Sequence, residues 1–373
     1  MTVLLKSNLS TIGGLEKQTY YIANALSKIA HLTILTYGPV NFIHPNVTVE
    51  DIGKKPFFGW KRITKFNSLC EEWQKKHTSN TVLSMDRTTC QTHMRLGNGV
   101  YKAFLQNRRK FDGTIKYLSH KINPLHQNIL LLEKIALTSP LLKKIFVNSY
   151  MVKEEILSYY PVDSKKIIVI HNGVEYHSWE SAFNQSLQNK KHIAKKLKAN
   201  PHLHNFLFIG NGYYRKGLKL LFHALSHLPK NQFFLHIIGR DKNPKYYLRL
   251  AKRLNIVDNV RFYGLLSNTL PFYQLCDTLI IPSFYDPFAN VTIEALAMGL
   301  FVISSKENGA HEIITKNTGI TLNNLQDEEE LTFALQQALL REKNTNNALP
   351  IRQSVSHLDL SSQITKLTNA LYE

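Results

Sequence analysis

Two carboxylates stand eight positions apart in the stretch SFYDPFANVTIEALAMG, residues 283–299. Asp286 precedes Pro287, whose ring fixes φ and ends an extended segment. Asn290 suits the N-cap of a helix VTIEALAM, with Gly299 at its C′ position. The amides around Phe288–Val291 would then be free donors at a helix start, suited to a phosphate or a sugar hydroxyl. Carboxylates take neutral sugar hydroxyls through charge-assisted hydrogen bonds. The bland alternative is a pair of helix-end acids placed by the dipole. That accounts only partly for Glu294, which lies beyond the first turn.

Two further loops carry residue types fit for an anion. Arg215 and Lys216 in YYRKG follow the apolar run that ends at Gly210. A guanidinium fork beside a point-charge ammonium suits a diphosphate, although loop cations are commonly just solvated. Gly13-Gly14 opens a helical pattern from Leu15, and two glycines let backbone amides approach an anion closely. The pair is not G-x-G-x-x-G, and no acidic residue closes the second strand. Both points weaken a nicotinamide dinucleotide reading.

These loops need a scaffold that brings them together. TVLLK, a polar glycine loop, helical spacing at Leu15, Ile22, Leu26 and Ile29, then HLTILTY (31–37) make a βαβ pattern. The second half repeats it. Strands are expected at 206–210, 233–239, 259–264, 278–282 and 301–305, with helices between them, including 269–276 and 290–298. Such alternation predicts an α/β chain with doubly wound parallel sheets, whose ligands bind beyond the carboxyl ends of the strands. A strand KKIIVI running into Asn172-Gly173 marks a domain boundary. The polar stretch 184–205 reads as surface. A charged segment, 341–356, precedes a final amphipathic stretch, Leu358–Leu371, expected to cross back to the first domain.

Composition narrows the partners. Of the net charge of +19, residues 1–172 carry +13 and residues 173–373 carry +6. Such a field attracts nucleic acid, anionic lipid or phosphorylated substrates. No zinc-finger, homeodomain or RNA-recognition pattern is present, so nucleic acid is not expected. The cysteines, Cys70, Cys90 and Cys276, have neither metal nor disulfide spacing. No apolar run reaches the ~18 residues of a membrane span, and MTVLLKS is too short for a secretory signal core. A cytoplasmic protein is expected.

DPFANVTIEALAMG resembles the E-x₇-E signature of retaining, nucleotide-sugar-dependent glycosyltransferases of family four, with Asp286 in place of the first Glu. GGLEK, HNGVE, RKG and GLFVISSKENGAHEII stand in the family's order, so the resemblance covers nearly the whole chain. It implies the GT-B fold, two Rossmann-like doubly wound parallel-sheet domains facing across a cleft. Residues 1–172 would bind the acceptor, 173–355 the nucleotide sugar, and 356–373 would return to the first domain. Within the family, MDRTTCQTHMRLGNGVYKAFL (85–105) is most similar to the lipopolysaccharide core glucosyltransferase I group.

The resemblance implies roles position by position. Gly13 and Gly14 would face the donor diphosphate, and Arg215 and Lys216 would hold it. Asp286 and the amides of Phe288, Ala289 and Asn290 would hold the sugar, Val291 would sit near the phosphate, and Glu294 would accept from the ribose. Arg261, Phe262 and Tyr263 would border the base. His93, Arg95, Asn98 and Lys102 are the acceptor-side candidates, and His93 is the candidate catalytic histidine beside Asp286, Arg215 and Lys216. No cofactor or metal is implied, since Arg and Lys would neutralise the leaving group. The implied activity is transfer of a hexose, glucose from UDP-glucose, to a lipid-linked or lipopolysaccharide-core saccharide at the inner membrane surface. Nine Lys/Arg against two acids between residues 101 and 144, with Tyr101, Phe104, Phe111 and Tyr117 interleaved, suit peripheral contact with anionic lipid. In that segment Ile129, Leu132, Ile135 and Ala136 would face inward. A nucleotide-sugar epimerase on the same scaffold, or a non-catalytic basic module, are the competing readings.

Overall fold

Short apolar runs flanked by glycines become inner parallel strands, because such strands are covered on both faces. The computed structural model describes residues 2–9, 14–38, 44–112, 119–120 and 122–373, with backbone alone at 14–17. Gly13 and Tyr117 lie outside the described residues. The chain divides into two units: Met1–Asn172 with Ser361–Glu373, and Gly173–Leu360.

The first unit is built on seven strands: β1 (Thr2–Leu5), β2 (Leu32–Thr36), β3 (Val47–Asp51), β4 (Thr81–Ser84), β5 (His93–Arg95), β6 (Lys144–Val147) and β7 (Ile167–Val169). Their order is β3-β2-β1-β4-β5-β6-β7, with every pairing parallel. The alternation along β1 sorts its side chains between two cores. Leu4 packs with Ile22 and Leu26 of helix Gly14–Ser27, while Val3 and Leu5 pack with Phe66, Cys70 and Trp73 of helix Gly59–Lys76. The closing helix Leu360–Tyr372 adds Leu367, Ala370 and Leu371 to the first of these cores. It is also tied by Thr2 Oγ1 to the Tyr372 hydroxyl (2.7 Å) and by Lys144 Nζ donating to the Ala370 carbonyl (3.0 Å).

The second unit holds six strands: β8 (His204–Ile209), β9 (Phe233–Ile238), β10 (Val260–Gly264), β11 (Thr278–Ile281), β12 (Phe301–Ser305) and β13 (Gly319–Leu322). Their order, β10-β9-β8-β11-β12-β13, is again all parallel. In both sheets the winding reverses once, between β1 and β4 and between β8 and β11. The crevice beyond the carboxyl ends at such a reversal is where open α/β sheets hold ligands.

Five strands, β3 to β6 and β13, go beyond those read from the sequence. β3 is half-exposed at a sheet edge, and β5 has three residues with a cation at its end, so neither carries a clear apolar signature. The polar stretch 184–205 is not simply surface. Helices Glu180–Gln188 and Lys190–Leu197 bury Phe183, Ile193 and Ala194, the last two against Leu275. Segment 341–356 contains helix Thr345–Gln353, whose start is closed by an Asn344/Asn347 capping box and which buries Ala348 and Ile351. The three cysteines are free thiols. Burial pushes Cys90 up to about 11 and Cys70 and Cys276 higher still, which leaves them unreactive.

Candidate functional site

The reversal between β8 and β11 positions the candidate site of the second unit. After β8 the chain turns through Gly210 and Gly212 to Gly217, which starts helix Leu218–Ser226. Gly217 has φ +79°, and a Cβ there would stand 2.0 Å from the Pro282 carbonyl oxygen just past β11. Only glycine lets the two loops approach so closely. A Cβ on Gly210 would likewise collide with the Lys216 stem, so Lys216 lies folded against the strand end. Phe284 N donates to the Arg215 carbonyl (2.8 Å), which pins the loops together.

Asp286 is thereby delivered to both cations. Lys216 Nζ lies 2.6 Å and Arg215 Nη1 2.8 Å from the same oxygen, Asp286 Oδ2. Arg215 also donates to the Tyr285 carbonyl (2.8 Å). Lys216 and Asp286 are buried, while the Arg215 side chain is more than a third exposed. Burial alone would raise the Asp286 carboxyl. Lys216 and then Arg215 outweigh it and hold the group at about 2. The cluster thus carries two cations on one carboxylate at the ligand edge of a parallel sheet, with the guanidinium on its open side.

The helix after this loop is Asn290–Ala297, and its N-cap is Ala289. Asn290, expected as the cap, is the first helical residue. The amides of Phe288 and Ala289, expected as free donors, are already satisfied. Phe288 N donates to Asp286 Oδ1 (3.2 Å) and Ala289 N to Asn308 Oδ1 (2.9 Å). Fully buried Asn308 also accepts from Ala310 N and donates to Ser304 Oγ and Thr292 Oγ1. It is the organising residue that sequence reasoning missed, although it lies within GLFVISSKENGAHEII, one of the segments that carried the resemblance. Asn290 and Val291 stay partly exposed. Glu294 accepts a 2.6 Å hydrogen bond from the buried Tyr273 hydroxyl of helix Leu270–Leu275. The far end of the site helix is held by Arg352, which donates to the Ala297 and Tyr176 carbonyls and stacks on the Tyr176 ring (4.1 Å). Gly299, at φ +72°, then turns the chain toward β12.

Arg261 and Phe262 do not join this cluster. The Arg261 guanidinium donates to the Lys198 carbonyl (3.0 Å), closing helix Lys190–Leu197, and lies over the Phe234 ring. Phe262 packs against Tyr213 and Phe222. Tyr263 shares a 2.8 Å hydrogen bond with His236. A cation at the second position of an edge strand, near its amino end, serves a neighbouring helix end instead of the ligand edge.

In the first unit, the β1/β4 reversal carries an ion pair that sequence reasoning also missed. Lys6 Nζ lies 2.9 Å from Asp86 Oδ1, and Asp86 Oδ2 accepts from Ser7 N (2.7 Å). Gly14 opens helix Gly14–Ser27 after β1. Arg95 ends β5 and is buried, donating to Asn172 Oδ1 (2.9 Å) and Gln18 Oε1 (3.4 Å). Burial lowers it to about 10. Asn98 is exposed in the loop beyond. Lys102 lies on helix Tyr101–Asp112 with its ammonium 5.1 Å from the Tyr159 ring.

His93, expected in a loop as a catalytic group, instead begins β5, two residues short of the strand's carboxyl end. It is buried, bonded to Thr92 Oγ1 (2.9 Å) and stacked on Phe146. Parallel pairing with β4 on one side and β6 on the other holds this short segment in the sheet. Burial, then Lys143 and Lys144, lowers His93 to about 4; burial takes His236 to about 3 and also lowers His204. In the unfolded chain these rings take up protons near 6.5. The folded values are depressed, so the unfolded state binds more protons as pH falls through that window, and stability is lost on the way down to about 3. Urea midpoints measured from about pH 7.5 to about pH 4.5 should fall steadily. A flat profile contradicts neutral, buried rings.

Among the described residues, no group of three or more His, Cys, Asp or Glu could hold a metal ion, and no helix is long and apolar enough to cross a membrane.

Comparison with known proteins sets this geometry in context. Residues 189–350 match the family model of glycosyl transferases group 1. An uncharacterized glycosyltransferase, MJ1607, of Methanocaldococcus jannaschii is 32% identical over 169 residues, 44% of this chain and 43% of that protein. Lipopolysaccharide glucosyltransferase WaaG of Escherichia coli is 26% identical over 162 residues, 42% of this chain and 43% of the relative. The matched stretch therefore spans less than half the length of these relatives. The crystal structure of WaaG, a glycosyltransferase involved in lipopolysaccharide biosynthesis, superposes with a TM-score of 0.83 at 16% identity, covering 100% of this chain and 99% of that one. The fold is GT-B.

Proposed function

With residues 189–350 identified as a glycosyltransferase group 1 domain in a chain of GT-B fold, we propose that this protein is a retaining glycosyltransferase. It moves glucose from UDP-glucose to a lipid-linked or lipopolysaccharide-core saccharide. The observation that carries this reading is the Asp286–Lys216–Arg215 cluster at the β8/β11 reversal. One carboxylate leaves an excess positive charge there, and a diphosphate supplies the missing negative charge. Arg215, on the open side, meets the phosphates, with Lys216 behind it. Asp286 Oδ1 faces the sugar hydroxyls, and Glu294, oriented by Tyr273, accepts from the ribose.

The chemistry follows from charge placement. The acceptor oxygen bonds to the anomeric carbon on the face from which the diphosphate departs, and the acceptor proton passes to a leaving phosphate oxygen. Negative charge grows on the diphosphate in the transition state, where Arg215 and Lys216 stabilise it without reorganisation. Arg95, Asn98 and Lys102 serve the acceptor side. His93 is not assigned a catalytic part, because it is enclosed in the sheet. The lipid-linked acceptor sets the place of action, peripheral to the cytoplasmic face of a membrane with anionic lipid.

The test is transfer from a panel of nucleotide sugars to lipopolysaccharide core and lipid-linked acceptors, with the new linkage examined by NMR. Glucose joined with retained configuration is the expected product. Failure of every donor to bind or react would overturn the assignment, and an inverted linkage would overturn its retaining mechanism.

A further inference from the structure

The corner between β3 and helix Gly59–Lys76 presents three aromatic side chains to solvent in four consecutive positions. Phe57 is 90% exposed, Phe58 56% and Trp60 38%. Together they offer roughly 400 Å² of aromatic surface, given the usual area of such side chains. Single exposed apolar residues need no explanation, but a contiguous aromatic patch of this size marks an interaction site. The corner does not flap freely. Arg62 donates to the Pro56 and Phe57 carbonyls (3.4 and 3.3 Å), and its own carbonyl accepts from the Tyr37 hydroxyl. Phe57 and Phe58 brace each other edge to face at 5.5 Å.

The charge around the patch has one sign. Lys54, Lys55, Lys61, Arg62 and Lys65 lie in this segment, and no acid occurs between Asp51 and Glu71. Lys54, Lys55, Lys61 and Lys65 are exposed. Lys61 sits 5.3 Å from the Trp60 ring centre and 5.8 Å from that of Phe58, so the cation and the rings share one surface. An aliphatic group adjoins them. Gly59 lies against the Leu125 methyls, and Ile122, three residues before Leu125, is 81% exposed.

We infer that this corner docks the protein on an anionic bilayer, with Phe57, Phe58 and Trp60 entering the headgroup boundary and the surrounding lysines meeting lipid phosphates. Aromatic rings beside cations are suited to that boundary, and each cation near an anionic surface strengthens attachment. Single-stranded nucleic acid would need open ring faces for stacking. Here two rings meet edge to face, and the adjoining Leu125 methyls suit acyl chains. The inference deepens the reading above and rests on its membrane-surface partner, but it places the attachment on residues 54–65.

Co-sedimentation of the full chain with phosphatidylcholine vesicles, with and without phosphatidylglycerol, tests it. Wild type should bind the anionic vesicles in a salt-sensitive way. A Phe57→Ser/Phe58→Ser variant should lose about tenfold or more in affinity, and Lys54→Glu/Lys55→Glu/Lys61→Glu should lose the dependence on phosphatidylglycerol. Both variants should keep the wild-type melting temperature and wild-type turnover on detergent-solubilised acceptor, since neither touches the donor site. Equal vesicle binding by wild type and the Phe57/Phe58 variant would overturn this docking site while leaving a membrane partner in place. No vesicle binding by wild type would overturn both the docking site and the membrane partner. Binding of a single-stranded oligonucleotide that depends on Phe57 and Phe58, without vesicle binding, would reassign the surface.

Discussion

Replacing Asp286 by Asn should reduce kcat/KM for the nucleotide sugar by about 100-fold or more, equivalent to about 2.7 kcal/mol of transition-state stabilisation. The substitution keeps the shape of the side chain and removes its charge. Lys216 is then a buried ammonium without a counterion, and breaking such a pair from one side costs about 3–5 kcal/mol where the remaining charge stays buried. Urea unfolding should therefore register a loss toward that range, with Arg215 contributing less because it is partly exposed. A purely structural role would show only the stability loss. A catalytic role predicts that Asp286→Glu, which restores the charge on a longer stem, recovers stability and part of kcat at the same protein concentration. The pH dependence has a definite sign. The Asp286 carboxyl is held at about 2 against 3.8 in an unfolded chain. Its contribution to stability is complete above 3.8 and is lost as pH falls through about 2. No inflection from Asp286 should appear in the activity profile above about pH 4. Wild-type kinetics in the Asn variant would remove the cluster from the mechanism.

The second large effect is expected far from the donor site. Glu133, fully buried on helix Pro124–Leu137, accepts four hydrogen bonds. Its donors are Arg87 Nε (2.8 Å), Tyr101 N (2.7 Å), Lys102 N (3.1 Å) and the Tyr160 hydroxyl (2.8 Å). One carboxylate thus caps the start of helix Tyr101–Asp112, neutralises a largely buried guanidinium and satisfies a buried phenol. Glu133→Ala should cost about 3–5 kcal/mol of stability, at the top of what single substitutions do. Glu133→Gln should also destabilise, because its amide turns donors toward donors. Leu131→Ala, on the exposed face of the same helix, should stay within about 0.5 kcal/mol. Denaturant midpoints with unchanged m-values would read all three. Equal, small effects at positions 131 and 133 would contradict the capping role.

That helix also shows where pattern reading fails. Leu132 and Ala136 are buried as their spacing predicts, but Ile135 is exposed and Glu133 is inside. At about 100° per residue, position 133 falls about 40° from 129 and about 60° from 136 on the wheel, whereas 135 lies about 100° from 136, well to one side. Helical geometry favoured Glu133. Hydrophobicity alone favoured Ile135, because nothing local announces that Arg87 and Tyr160 will supply donors from other elements. The same limit explains His93: a polar residue two positions before a cation reads as loop until two neighbouring strands enclose it.

The strand-helix alternation from His204 to Ser305 was legible in the sequence, because inner parallel strands are covered on both faces and so consist of unbroken apolar runs. The end of the site helix was legible too, since Gly299 occupies a left-handed conformation that other residues rarely adopt. The tertiary structure alone decided that Asp286 takes Lys216 and Arg215 as partners, that Asn308 and not Asn290 organises the helix start, and that Arg261 serves a helix end instead of the ligand edge. These contacts join residues 19 to 71 positions apart. Local propensity acts over a few residues, whereas such encounters depend on the order in which strands lie side by side in the sheet.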